Sequence, residues 1–99
     1  MFTKSDILKV IQENTDEIKT YGIKRIGIFG SFARAAEKDK SDIDVLIEFK
    51  KGKKAFDNYM ETKFLLEKIF HRRVDLVIKE ALKPEIKKNI LREVVYARI

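Results

Sequence analysis

Two stretches decide the fold: Gly30-Ser31-Phe32-Ala33-Arg34 and, eight residues beyond Arg34, Asp42-Ile43-Asp44. The first is a Gly-Ser turn at the end of the apolar run Ile26-Gly27-Ile28-Phe29. The second opens another apolar run, Val45-Leu46-Ile47. Alternate residues of a strand point to one face, so Asp42 and Asp44 project together. Like charges on one face repel, and aspartate is depleted in strands. A solvated face is the plain reading of such a pair; a bound cation is the simplest offset for it. Hard carboxylate oxygens on a rigid element, beside a turn with free backbone N–H groups, suit Mg²⁺ and a triphosphate.

Working outward, residues 23–29 form a first strand, with Ile26 and Ile28 on one face and Gly27 and Phe29 on the other. Upstream, Thr3-Lys4-Ser5-Asp6 approximates a capping box, and Ile7, Leu8, Ile11 and Ile18 carry one helix to about residue 20. Gly22 stands where a helix C-terminus favours glycine. Downstream, residues 31–37 read as a short helix, 37–41 as a polar loop and 42–49 as the second strand. Ile43, Val45 and Ile47 take its core face; Asp42, Asp44, Leu46 and Glu48 lie opposite. Lys50-Lys51-Gly52-Lys53-Lys54 is a solvated loop. A long helix follows, its Phe56, Met60 and Phe64 spaced by four, with Tyr59, Leu66, Ile69 and Phe70 extending the apolar surface. That aromatic stripe reads as core, and Glu67 as facing water. Residues 74–78 are a third strand, with Asp75 and Val77 opposite Val74, Leu76 and Ile78. Pro84 suits the first turn of a last helix whose inner face holds Ile86, Ile90, Leu91 and Val94. The fold class is therefore α/β (α+β): a small mixed sheet of three to four strands flanked by helices.

The 99 residues are the size of one domain, residues 1–99, with 44% hydrophobic content for a single core. No apolar run approaches the roughly 20 residues of a membrane span. Met1-Phe2-Thr3-Lys4-Ser5-Asp6 lacks the features of a signal peptide, and zero cysteines exclude disulfides and thiolate metal sites. The expectation is a cytoplasmic protein. A net charge of +6 favours anionic partners, although the basic residues are spread along the chain and no recognition motif supports direct nucleic-acid binding.

The pattern Gly-Ser-x-Ala-Arg, then Ser-Asp-x-Asp, resembles the signature of the polymerase β-type nucleotidyltransferases, and within them the minimal nucleotidyltransferase (MNT) proteins. These are the antitoxins of HEPN–MNT toxin–antitoxin pairs. The resemblance runs from the strand before Gly30, through a third carboxylate at Asp75, to Leu91-Arg92-Glu93-Val94-Val95-Tyr96. It implies an Mg²⁺-dependent enzyme that transfers AMP from ATP to a hydroxyl, a tyrosine of a cognate HEPN toxin. By the same resemblance, Asp42 and Asp44 ligate two Mg²⁺ ions about 3.5–4 Å apart. Asp75 completes the site and is a candidate general base. Gly30 and Ser31 bind the triphosphate tail at a helix N-terminus. Arg34 either touches phosphate or pairs with an acidic neighbour in or near the loop. The family position after that arginine is usually glycine; here it is Ala35, which disfavours positive φ.

Two alternative functions stay open: an antitoxin that binds nucleotide and neutralises its partner by covering it, and an enzyme that modifies a small molecule. The second normally needs an additional substrate domain, for which 99 residues leave no room. Oligomeric state and nucleotide base are open as well. A calcium loop fails in both registers: from Asp39 its sixth position is Asp44 where glycine is needed, and from Asp42 its fifth is Leu46. His71 is the only histidine and reads as part of a helix C-terminus.

Overall fold

The computed structural model describes residues 3–38 and 40–99; Met1, Phe2 and Asp39, the last within the expected polar loop, lie outside the described residues. A four-stranded mixed sheet has the order β3-β2-β1-β4. Its strands are β1 (Ile23–Phe29), β2 (Ile43–Phe49), β3 (Val74–Ile78) and β4 (Val95–Tyr96). β1 pairs antiparallel with both β2 and β4, while β2 and β3 are parallel. The helices are α1 (Lys4–Glu13), α2 (Thr15–Thr20), α3 (Gly30–Ala33), α4 (Phe56–Phe70) and α5 (Pro84–Glu93). A 3₁₀ turn, Lys79–Ala81, follows β3. The parallel β2–β3 pair is joined by α4, as a parallel connection requires.

The core lies on one face of the sheet. Ile26 and Ile28 from β1, Ile43, Val45, Ile47 and Phe49 from β2, and Val74 and Leu76 from β3 meet Ile7, Ile11, Ile18, Leu65, Leu66 and Phe70 from α1, α2 and α4. Alternation along β1 breaks once. A register shift between Ile23 and Arg25 lets Ile23 face the core although it is three residues from Ile26. The other face carries Asp44, Leu46 and Glu48 in a row, beside Phe29, Gly27 and Arg25 of β1. Near Glu48 this face is covered: Tyr96 Oη donates to Glu48 Oε2 at 3.4 Å, and Lys79 and Arg25 each approach the carboxylate at 3.6 Å.

The expected capping box is present: Thr3 accepts from the Asp6 N–H, and Asp6 accepts from the Thr3 N–H. Gly22 does follow the helix end, at φ +80°. Several expectations need correction. The single first helix is two, broken at Asn14, whose side chain donates to the Val10 carbonyl at 2.8 Å and competes with the helical ladder. The helix over residues 31–37 is only the four residues of α3, because Arg34 and Ala35 turn away. Asp42 precedes β2 rather than opening it. The aromatic stripe of α4 is not wholly core: Phe56 is 75% and Phe64 56% exposed, while Thr62, Leu65, Leu66 and Phe70 face inward. Glu67 does not simply face water; it accepts the Val74 N–H at 3.0 Å and so anchors the start of β3. Of the expected inner face of the last helix, Ile90 is buried but Ile86 and Leu91 are exposed. The chain leaves the helix at Val94, and Val95 and Tyr96 pair with Ile28 and Gly27 as a fourth strand.

Candidate nucleotidyl-transfer site

Three strands bring the sequence-derived residues together. In the β1–β2 register Phe29 lies opposite Asp44, so Gly30 and Ser31 leave the sheet beside that carboxylate. In the β2–β3 register Asp44 lies opposite Asp75. Asp42 sits just ahead of β2. Its position is fixed by the Ile43 N–H, which donates to the Arg73 carbonyl at 3.0 Å, and by Arg72, which donates to the Ser41 carbonyl at 3.1 Å. Ser41 also accepts the Lys38 N–H at 2.7 Å and donates its own N–H to the Lys38 carbonyl at 2.9 Å, closing the turn before Asp42. Asp44 is half-buried, while Asp42 and Asp75 are exposed.

Gly30 explains how Asp44 fits. It adopts φ +72°, a left-handed conformation that side chains disfavour. A Cβ built there would overlap the Asp44 carboxylate. The electrostatics are unbalanced. Burial pushes the Asp44 carboxyl up, Asp75 and Asp42 push it further, the Arg34 guanidinium pulls it down, and Glu93 adds a last upward push, leaving it at about 6. Among the described residues no group of three acidic, histidine or cysteine side chains is gathered closely enough to hold a metal ion as it stands. The donor set is all hard oxygen, close enough to raise the pKa of its central member, and that fits a hard divalent cation.

The turn holds a residue that the sequence reading did not single out. Glu93, at the C-terminal end of α5, accepts the Gly30 N–H at 2.8 Å and two bonds from Arg34 Nη1, at 3.1 and 2.9 Å. Burial raises its carboxyl, but the Arg34 hydrogen bonds, the Gly30 amide and the Arg34 charge outweigh that and leave it below the usual value. Arg34 thus pairs with an acid, as one of its two expected roles had it. The partner comes from the far end of the chain, not from the loop. No local pattern could have announced it: 63 residues separate Gly30 from Glu93. The Gly30 amide is therefore already bonded, and α3 is too short to act as a strong dipole. Ser31 follows directly, its hydroxyl without a partner among the described residues. Ala35 has φ +56°, the conformation that glycine would take without strain. His71 caps α4 in the left-handed region at φ +52°, in keeping with a helix end.

A sheet that lines up Asp44 and Asp75 beside a Gly-Ser turn defines a class, and comparison with known proteins agrees. The nucleotidyltransferase domain family matches residues 6–97, and the chain belongs to that family. More narrowly, it is a nucleotidyltransferase of the minimal type that the motif resembled. The protein adenylyltransferase MntA of Thermococcus cleftensis is 37% identical over 97 residues, 97% of each chain. A solved structure assigned provisionally to the minimal nucleotidyltransferases has a TM-score of 0.73 at 28% identity, covering 89% of this chain and 93% of that one. A solved structure of a tri-AMPylated Shewanella oneidensis HEPN toxin in complex with an MNT antitoxin contains a chain of the same fold, with a TM-score of 0.64 at 14% identity over 90% of this chain and 70% of that one. No helix among the described residues is long and apolar enough to cross a membrane.

Proposed function

We propose that this chain, acting as one domain over residues 1–99, transfers AMP from ATP to a tyrosine hydroxyl of a cognate HEPN toxin and so serves as its antitoxin. The observation that carries this reading is the register of Asp44 against Asp75, with Gly30 leaving room for the Asp44 carboxylate. The relative named as a protein adenylyltransferase and the AMPylated toxin bound to an MNT protein support the reaction and the acceptor class.

In this reading Asp42, Asp44 and Asp75 would hold two Mg²⁺ ions, which when bound supply positive charge to the attacking and leaving oxygens. Ser31, through its amide and hydroxyl, binds the triphosphate tail beside Gly30, and Arg34 offers its outward N–H groups to the same phosphates. The acceptor oxygen forms a bond to the α-phosphorus while the bond from that phosphorus to the bridging oxygen breaks. Pyrophosphate leaves with the bonding pair, and Asp75 receives the hydroxyl proton. Asp75 suits that task because β3 is an edge strand and its carboxylate is exposed, open to a hydroxyl presented by another protein.

The test is label transfer from ATP carrying a radioactive α-phosphate, with Mg²⁺ and the product of the neighbouring gene, against Asp44→Asn. Label on a tyrosine of the partner, lost in the variant, is the expected result. A stable complex with no label from either form would overturn the enzymatic reading in favour of neutralisation by binding.

A further inference from the structure

Glu93 touches two groups of the nucleotide turn at once, the Gly30 N–H at 2.8 Å and Arg34 Nη1 at 3.1 and 2.9 Å. We infer that Glu93 is a positioning residue for nucleotide binding: it aims the remaining N–H groups of Arg34 at the triphosphate and holds Gly30 in place against Asp44. This rests on the function proposed above.

Three observations carry it. First, both bonds from Arg34 to Glu93 leave through Nη1, so the Nε and Nη2 edge of the guanidinium has no partner among the described residues, and the Arg34 side chain is 56% exposed. A planar donor group tethered by one corner has a restricted set of directions for its other donors. A flexible arginine on a surface turn has no such restriction. Second, Glu93 is not on a mobile tail. Directly after it, the Val94 N–H donates to the Ile90 carbonyl at 3.0 Å, Val95 and Tyr96 pair with Ile28 and Gly27, and the Ala97 N–H donates to the Ile26 carbonyl at 2.9 Å. The Val94 side chain also fills the space where a Cβ on Gly27 would lie. The carboxylate is thus referenced to β1, the same strand that delivers Gly30. Third, the Gly30 amide is committed to Glu93, so its role is to fix the turn while the phosphates go to neighbouring donors. A phosphate competing for that amide would meet a carboxylate already bonded to it, with like-charge repulsion added.

A residue that only stabilised the fold would lower melting temperature and spare nucleotide affinity once the protein is folded. Loss of a positioning residue should weaken nucleotide binding even in folded protein, chiefly through Arg34, its charged partner. The experiment measures the Kd of AMP-PNP with Mg²⁺ by calorimetry, on folded protein well below its melting temperature, for wild type, Glu93→Gln, Glu93→Ala, Arg34→Ala and the Glu93→Ala/Arg34→Ala pair. Glu93→Gln keeps an acceptor for Gly30 but loses the charge that tethers Arg34.

The expected result is binding about tenfold weaker in Glu93→Ala and Arg34→Ala, an intermediate loss in Glu93→Gln, and little further loss in the double variant. Wild-type affinity in folded Glu93→Ala, or a double variant whose loss is the sum of the two singles, would overturn the inference and leave the proposed function standing. A wild-type protein that fails to bind AMP-PNP at all would sink both.

Discussion

Gly30 lies against Asp44 so closely that a Cβ on it would overlap Oδ2 and come within 2.9 Å of Cγ and 3.2 Å of Cβ. The nearest obstacle is the end of a side chain, so Gly30→Ala need not unfold the protein, but Asp44 must turn away. The φ of +72° adds a left-handed cost of about 1–2 kcal/mol for a residue with a side chain. Gly30→Ala should therefore fold with reduced stability and transfer label about a hundredfold more slowly, the scale of a 1 Å misplacement. Single-turnover labelling alongside a denaturant titration checks this; a rate near wild type would show that Asp44 need not occupy the observed position.

Asp44→Asn should make the protein more stable at neutral pH while stopping the reaction. The folded-state pKa of Asp44 is about 6, above the ordinary 3.8. The folded state therefore binds the proton more tightly than the unfolded chain does. The stability from the protonated group is fully present below about 3.8 and is lost as pH rises through about 6. Asparagine removes that loss. After allowance for the exposure of the group, the gain at pH 7.5 is on the order of 1 kcal/mol, or about 4–8 °C in melting temperature for a domain of this size. The difference between the two proteins should vanish near pH 4. Melting curves at the two pH values, recorded without divalent cations, decide the matter, and equal melting temperatures at pH 7.5 would contradict it.

Ala35→Gly should stabilise the chain. At φ +56° alanine bears the left-handed cost of about 1–2 kcal/mol, against the entropy of glycine at about 0.5–1 kcal/mol. A net gain of about 0.5–1 kcal/mol should raise the melting temperature by a few degrees with kcat unchanged. A fall in melting temperature would mean that Ala35 holds this conformation without strain.

Glu67→Ala should cost about 1–2 kcal/mol, because it leaves the Val74 N–H without its acceptor where β3 begins. Glu67→Gln, which keeps an oxygen there, should cost less. Urea midpoints of the two variants give the comparison. Equal midpoints would mean that water replaces the carboxylate without loss.

Much of the fold was legible because its signals are local. The capping residue Thr3, the alternation of Ile43, Val45 and Ile47, and the glycine at residue 22 each act within a few residues, and each element they announce is present. The place of Asp44 opposite Ile43, Val45 and Ile47 was legible for a similar reason, since strand parity alone sends it to the other face. The failures have two causes. Asn14 breaks its helix locally, through its own bond to the Val10 carbonyl. At Phe64 and Val94 the local periodicity predicts buried helix, and packing against segments distant in sequence decides otherwise. Val95 and Tyr96 continue an apolar helical pattern, yet the open edge of β1 offers them ladder hydrogen bonds that a frayed helix end cannot.

The sequence by itself determined the class of the fold, the turn and the carboxylates, since strand alternation and glycine conformation are properties of the residues. It could not determine that Asp75 stands opposite Asp44, that β4 closes the sheet, or that Glu93 occupies the Gly30 amide and tethers Arg34. Those are pairings between residues 31, 67 to 69, 63 and 59 positions apart, set by sheet order and register. Register depends on how all the apolar faces bury together, a condition met only once the whole chain is packed.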